Sequence, residues 1–335
     1  MPAIRENFMK RRLFAQTLTS ATLLACGALA TLPAQAEPLS NRPIRIVVPF
    51  GAGGVADVTA RVVGQQLSTQ LGQPVVIDNK PSAGGIVAAD AVAKATPDGH
   101  TLFLMSNGSA VTVGLFKHLP FDMVKDLAPI STLGYFDIGV ITDGKSQFKT
   151  LPELLAYAKA HPGKLNIGSI AIGSTQHLAA ELFKSTAGID AQIVPFNGTP
   201  AVITALRGKQ IDAAVEILAP ITGQISSKAV NLLAVTGEKR SPLQPNVSTA
   251  QEAGVKGFVA SSWNALAAPA KTPPAVIARL NQEIVAAVNN PEVAKKLREL
   301  NVVAKSSTPE QTAQLLQSEI KRWGAVIEEA KIPKQ

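Results

Sequence analysis

Two copies of one local pattern, a strand running through a glycine-containing loop into a helix, most constrain what this chain can fold into. Ile44 to Val48 is an apolar, β-branched run. Pro49 and Phe50 lead from it into Gly51, Ala52, Gly53 and Gly54, and Asp57 to Leu71 then sets Val58, Val62, Val63 and Leu67 on one side of a helix. The pattern returns with a strand over Leu165 to Ile170, a loop through Ala171, Ile172 and Gly173, and a helix over Ser174 to Ser185. Between and after these units the sequence alternates in the same way. Strands are predicted at Pro74 to Ile77, Thr101 to Met105, Ala191 to Phe196, Ile211 to Ile217 and Val230 to Val235. Helices are predicted at Ile86 to Ala95, Leu151 to His161, Ala201 to Arg207, Pro274 to Asn289 and Pro291 to Leu300. A last helix begins at Thr308-Pro309-Glu310, an N-cap with proline at the first helical position, and carries a stripe of Leu315, Ile320, Trp323 and Ile327. Alternation of this kind implies an α/β protein with parallel strands, and two similar lobes make a clamp able to close on a ligand.

The first residues read as an export signal rather than as part of this fold. Met9-Lys10-Arg11-Arg12 is basic, Leu13 to Ala30 is largely apolar and small, and Ala34-Gln35-Ala36 is a cleavage site. Residues 1–36 are therefore expected to leave, and the mature protein to work in the periplasm. Arg11-Arg12 also resembles a twin-arginine signal, and Leu23 to Cys26 loosely resembles a lipoprotein box. Cys26 is the only cysteine, so the mature chain has no disulfide and no thiolate metal site. The net charge of +8 falls to about +5 when the leader goes. Such a charge draws in anions but lacks the basic stripe with aromatics of a nucleic-acid surface. His100, His118, His161 and His177 have no metal-ligand spacing. No metal, cofactor or nucleic acid is expected.

The glycine loops carry the chemistry. Three glycines let the backbone approach a ligand closely, and free amides at the following helix N-terminus make an anion site without an arginine. Four or five hydrogen bonds to a charged group, at about 1.5–3 kcal/mol each, suffice for micromolar binding of a carboxylate once ordering costs are subtracted. A rival reading exists. Gly51-Ala52-Gly53-Gly54-Val55-Ala56 satisfies the dinucleotide fingerprint, with Asp78 at the end of the next strand, and so allows an NAD-dependent oxidoreductase. Against it stand the export signal, the interposed Pro49-Phe50 and the lack of a catalytic constellation. His177 and Ser174 lie three apart on one helix without an orienting acid, which reads as structural.

Nearly the whole mature chain resembles the Bug-type receptors, the extracytoplasmic solute-binding components of tripartite tricarboxylate transporters. The resemblance rests on Pro43 to Phe50, Ala52-Gly53-Gly54 with Asp57, Asn79 to Gly85, Pro97 to Leu102, His177-Leu178-Ala179, Glu252-Ala253-Gly254 and Ala268-Pro269-Ala270. It implies a type-II periplasmic-binding-protein fold, two doubly wound lobes joined by hinge strands near Gly139 to Thr142 and Ala260 to Trp263. Residues 37–141 with 261–335 would form one lobe and residues 142–260 the other. The implied partners are a small organic acid or amino acid and the membrane permease subunits, with the receptor itself a monomer. A receptor that presents its liganded form to a sensor is a second non-enzymatic reading.

The resemblance places Phe50, Gly53, Gly54 and Asp57 in the first binding loop, and Ala171, Gly173 and Ser174 in the second. Gly51, Ala52, Ser169 and Ile172 on the loops, Ser106 and Asn107 after a strand, and Phe196, Asn197 and Gly198 complete the candidates. Two departures from the family pattern stand out. Phe196-Asn197-Gly198 lacks the ring hydroxyl and basic residue usual there, and Asn264-Ala265 follows Trp263 where glycine is usual at the second position. Trp263 is either a ligand-stacking ring or a packed hinge aromatic, and Asp57 either caps its helix or lines the pocket. Glu216, at a strand end, is taken to face the cleft, where with Asn197 it would favour a ligand bearing an amine.

Overall fold

The predicted alternation closes into one mixed sheet in a computed structural model that describes residues 42–329 and 331–335. The expected leader lies outside the described residues. The first part of the chain gives β1 (Ile44–Val48), α1 (Val55–Leu71), β2 (Val75–Asn79), α2 (Ile86–Ala93), β3 (Thr101–Ser106), α3 (Asn107–Leu115) and β4 (Leu127–Asp143). The middle gives α4 (Leu151–Ala160), β5 (Leu165–Ile170), α5 (Thr175–Ala187), β6 (Ala191–Phe196), α6 (Thr199–Arg207), β7 (Ala213–Ile217), α7 (Thr222–Ser226) and β8 (Val230–Val235). The chain ends with β9 (Ser261–Pro269), α8 (Pro274–Asn289), α9 (Pro291–Glu299), β10 (Val302–Ala304) and α10 (Pro309–Glu329). Among the described residues no helix is long and apolar enough to cross a membrane.

The strand order is β2-β1-β3-β9-β4-β7-β5-β6, with β8 and β10 also on β4. Each half is a parallel trio, β2-β1-β3 or β6-β5-β7, next to antiparallel neighbours. The 17 residues of β4 join the halves. Leu127 to Asp137 pairs with β9, whereas Ile138 to Ile141 pairs with β7 and Gly139 to Asp143 with β8. The partner therefore changes between Asp137 and Ile138, ahead of the expected crossing at Gly139 to Thr142. The chain returns at Ala260 and Ser261. Thr236 ties the two crossings together, its backbone N–H and hydroxyl both donating to the Ile138 carbonyl and its hydroxyl also meeting the Ala260 carbonyl at 2.6 Å.

The short α7 and β10 were not predicted, and neither were α3, β4 ahead of Gly139 or β9 beyond Trp263. α3 buries seven of its nine residues, so it has no polar face to reveal a helical period. β4 is broken in sequence by Pro129, Gly134 and Gly139, and its register slips twice against β9. In α10 the deeply buried stripe is Thr312, Leu316, Trp323 and Ile327; Leu315 and Ile320 are only partly covered. Trp323 is fully buried and donates its indole N–H to Asn107 Oδ1 at 2.9 Å, which locks α10 onto α3.

Candidate functional site

A cleft of about 470 Å³ lies where the loop after β1 faces the starts of α5 and α6. Its first wall is Pro49, Phe50, Gly51, Gly54, Val55 and Ala56, with Pro81, Ser82 and Ala83 beside it. Its second wall is Ile170 to Ile172, Thr175, Gln176 and Pro195 to Thr199, and its floor is Ser106, Phe136, Ile217, Ser262 and Asn264. Among the described residues no ionisable side chain lines it. An anion entering this space meets backbone amides and helix ends instead. α1 starts at Gly54 with no side-chain cap, and α6 starts at Gly198 with none either. The start of α1 is left with free amides, whereas at α6 Pro200 has no N–H and the Ala201 N–H already meets the Gly198 carbonyl at 3.1 Å, so Thr199 supplies the amide there. With the positive ends of the two helix dipoles this suits a carboxylate or phosphate.

The halves touch at both ends of the cleft. Gly84 N–H donates to the Ile172 carbonyl at 2.9 Å, and a Cβ on Gly173 would lie 2.8 Å from Gly84 Cα. At the other end a Cβ on Gly51 would lie 3.0 Å from the Asn197 carbonyl oxygen. On the floor Thr175 Oγ1 and Ser262 Oγ meet at 3.3 Å. Glycine at 51 and 173 is what lets backbone meet backbone at these edges.

Glu216 sits one layer beneath the floor. It is fully buried, its Oε1 accepts the Gln176 side-chain N–H and the Ile217 backbone N–H, both at 2.8 Å, and its Oε2 has no partner of good geometry. Burial pushes its carboxyl up to about 7, against the pull of hydrogen bonds from Gln176, Ile217 and Thr199. A second, larger depression of about 1030 Å³ lies beside the strand crossing, lined by Asp137, Lys239, Arg240, Lys256, Arg322 and Glu329 among others. Its arginines are already paired, Arg240 with Glu252 and Arg322 with Glu319, and it has no uncapped helix start.

The match to known proteins agrees with this geometry. Residues 59–332 match the model of the tripartite tricarboxylate transporter family receptor. The chain belongs to that receptor family. Protein BugT of Bordetella pertussis is 36% identical over 299 residues, covering 89% of this chain and 92% of BugT. The solved periplasmic binding protein BugD superposes with a TM-score of 0.84 at 30% identity, over 88% of this chain and 99% of BugD. MatC from Rhodopseudomonas palustris, solved with bound malate, gives a TM-score of 0.80 at 33% identity, over 85% of this chain and 99% of that one. The fold is thus the two-lobed one of periplasmic binding proteins, and the relatives are binding proteins.

Within this receptor the candidate residues divide. Phe50, Gly51, Gly54, Ser106, Ala171, Ile172, Phe196, Asn197 and Gly198 line the cleft. Ala52, Gly53, Asp57, Asn107, Ser169, Gly173, Ser174 and Glu216 do not. Asp57 neither lines the pocket nor caps from the N-cap position. As the third helical residue it reaches back to accept the Gly53 N–H at 3.0 Å, and it pairs with Arg61 at 2.8 Å, so it braces the loop from behind. Burial raises its pKa, but bonds from Arg61, Gly53 and Asn79 outweigh that and hold it below the usual carboxylate range. Asn107 is held by Trp323, and the Ser169 hydroxyl is turned to its own strand at Ile170. Ser174 is the N-cap of α5, accepting the His177 backbone N–H at 3.1 Å, and His177 Nδ1 has no partner, so these two side chains are not bonded to each other. Gly173 makes the cross-cleft contact rather than lining the cleft. Trp263 is buried in β9 and off the cleft wall. Glu216 does not face the cleft as expected, because the Gln176 side chain and Ile217 stand between.

The sequence reading missed Gln176, Thr175, Thr199, Ser262 and Asn264. Only Asn264 had a readable signal, a lone amide inside the apolar run from Trp263 to Pro269.

Proposed function

We propose that this chain is a periplasmic receptor that closes over a small carboxylate between its two lobes and delivers it to the membrane permease of a tripartite tricarboxylate system. The observation that carries this reading is a cleft with two uncapped helix N-termini and no charged side chain in its lining. Such a site replaces the hydration of a carboxylate with fixed amide donors and adds no countercharge that a neutral ligand would leave unpaired. The malate bound to MatC is a carboxylate of the size this cleft admits. The lobes rotate about the two crossings at Asp137–Ile138 and Ala260–Ser261, and the permease reads the closed form. The purified receptor is tested by thermal shift against C3 to C8 mono-, di- and tricarboxylates, amino acids and NAD. At least one carboxylate raises the midpoint through binding to the folded state alone. A shift with NAD only, or none with any carboxylate, overturns the proposal.

A further inference from the structure

The floor of the cleft holds a polar group that the protein itself does not satisfy. Asn264 lies on β9 opposite Ser106 of β3 and Gly134 of β4, both small enough to leave its side chain room. It lines the cleft, is 1% exposed, and neither its Nδ2 nor its Oδ1 has a hydrogen-bond partner. A buried donor or acceptor left unmade forfeits its hydration without return, so a complete amide without partners is rare in a native interior. Gln176 stands on the second wall of the same cleft. Its amide nitrogen is committed to Glu216 at 2.8 Å, which leaves its carbonyl oxygen as the free end. The Glu216 oxygen that holds it also accepts the Ile217 N–H, so that oxygen is an acceptor in either protonation state and Gln176 keeps one orientation.

We propose that Asn264 and Gln176 form a hydrogen-bonding subsite that takes a hydroxyl of the bound carboxylate, so that this receptor selects hydroxy acids. The inference rests on the receptor reading above and deepens it. Between them Asn264 and Gln176 offer one unpartnered amide NH2 group and two amide carbonyls. A hydroxyl is the smallest group that both accepts and donates, and so it engages the Asn264 N–H and one of the carbonyls together. A methylene in the same place leaves all three unmade. An ammonium leaves the Asn264 N–H unmade and brings a charge to a lining with no ionised side chain. Sites that bury groups for a substrate hydroxyl reject the analogue lacking it strongly, because their own polar atoms are then left unpaired. Glu216 acts through Gln176 and is a positioning residue.

The test is calorimetric titration of the purified receptor with three matched sets: succinate, malate and aspartate; glutarate, 2-hydroxyglutarate and glutamate; propionate, lactate and alanine. In at least one set the hydroxy acid binds tenfold or more tighter than both companions. Asn264→Leu removes both polar atoms at similar volume; it lowers hydroxy-acid affinity tenfold or more and changes affinity for the unsubstituted acid less than threefold. Gln176→Leu gives the same selective loss at smaller size, and serves if Asn264→Leu does not fold. Glu216→Gln, which keeps the accepting oxygen, retains the hydroxy-acid preference, whereas Glu216→Leu loses it. Equal affinity within every set, tighter binding of the amino or unsubstituted acid, or an equal loss for all ligands in Asn264→Leu overturns the inference while leaving a carboxylate receptor intact. If the wider carboxylate screen also finds no ligand, the receptor reading falls and this inference with it.

Discussion

The two walls of the cleft begin from the same strand–loop–helix pattern and end with different jobs. In the first wall the glycine loop after β1 opens straight onto an uncapped helix, and Asp57 braces it from behind. In the second wall the corresponding helix, α5, is already capped by Ser174, and Gly173 is spent on contact with Gly84. The open helix start on that side belongs to α6, after Asn197 and Gly198, one strand further along. A glycine in a strand-to-helix loop thus identifies where backbone comes close to something. It does not say whether that is a ligand or the other lobe.

The contrast is sharpest at Gly173. Its φ is +84° and its Cβ position is filled by backbone, so Gly173→Val is expected to keep the lobes from closing and to weaken carboxylate binding tenfold or more, at least about 1.4 kcal/mol. Gly188→Ala, at φ +60° with nothing within 4 Å, is expected to cost about 1 kcal/mol of stability and to leave affinity within twofold. Titration of both variants breaks the comparison if they behave alike.

Glu216 gives the largest expected pH-dependent effect on stability. Its folded pKa of about 7 lies above the ordinary 4.5, so its folded form holds a proton that the unfolded chain gives up. The contribution to stability is full below pH 4.5 and is lost as pH rises through about 7, amounting to roughly 3 kcal/mol. Glu216→Gln is expected to flatten that decline, so urea unfolding should favour the variant more at pH 8 than at pH 5. A pH-independent difference would place the carboxyl in a more polar setting than its burial implies.

The smallest effect separates cap from ligand contact. Ser174→Ala is expected to lower stability by about 1 kcal/mol and to leave affinity within twofold, whereas a ligand contact would show in the affinity. Thermal melts with and without ligand read both.

The legible parts of the fold follow from the same physics. β1, β5, β6, β8 and α8 fall where they were predicted because each is an apolar run or amphipathic stripe bounded by Gly, Pro or polar residues. α3 was missed because burial on nearly every side erases its periodicity, and the first part of β4 because Pro129 and Gly134 break its run. The glycine loops announced the first wall, and Asn197-Gly198 the second. What each loop touches depends on lobe packing, which no local pattern encodes. Asp57 and Glu216 show the limit well: an acid near a loop or strand end reads equally as contact, cap or brace until the tertiary neighbours are known.

The central claim is that backbone amides, not charged side chains, hold the ligand. A crystal structure of the receptor with its tightest carboxylate tests it most directly. The account requires the carboxylate within hydrogen-bond distance of amides at the starts of α1 and α6, with no Lys or Arg side chain touching it. A carboxylate found instead against Lys239 or Lys256 in the depression beside the strand crossing would contradict it.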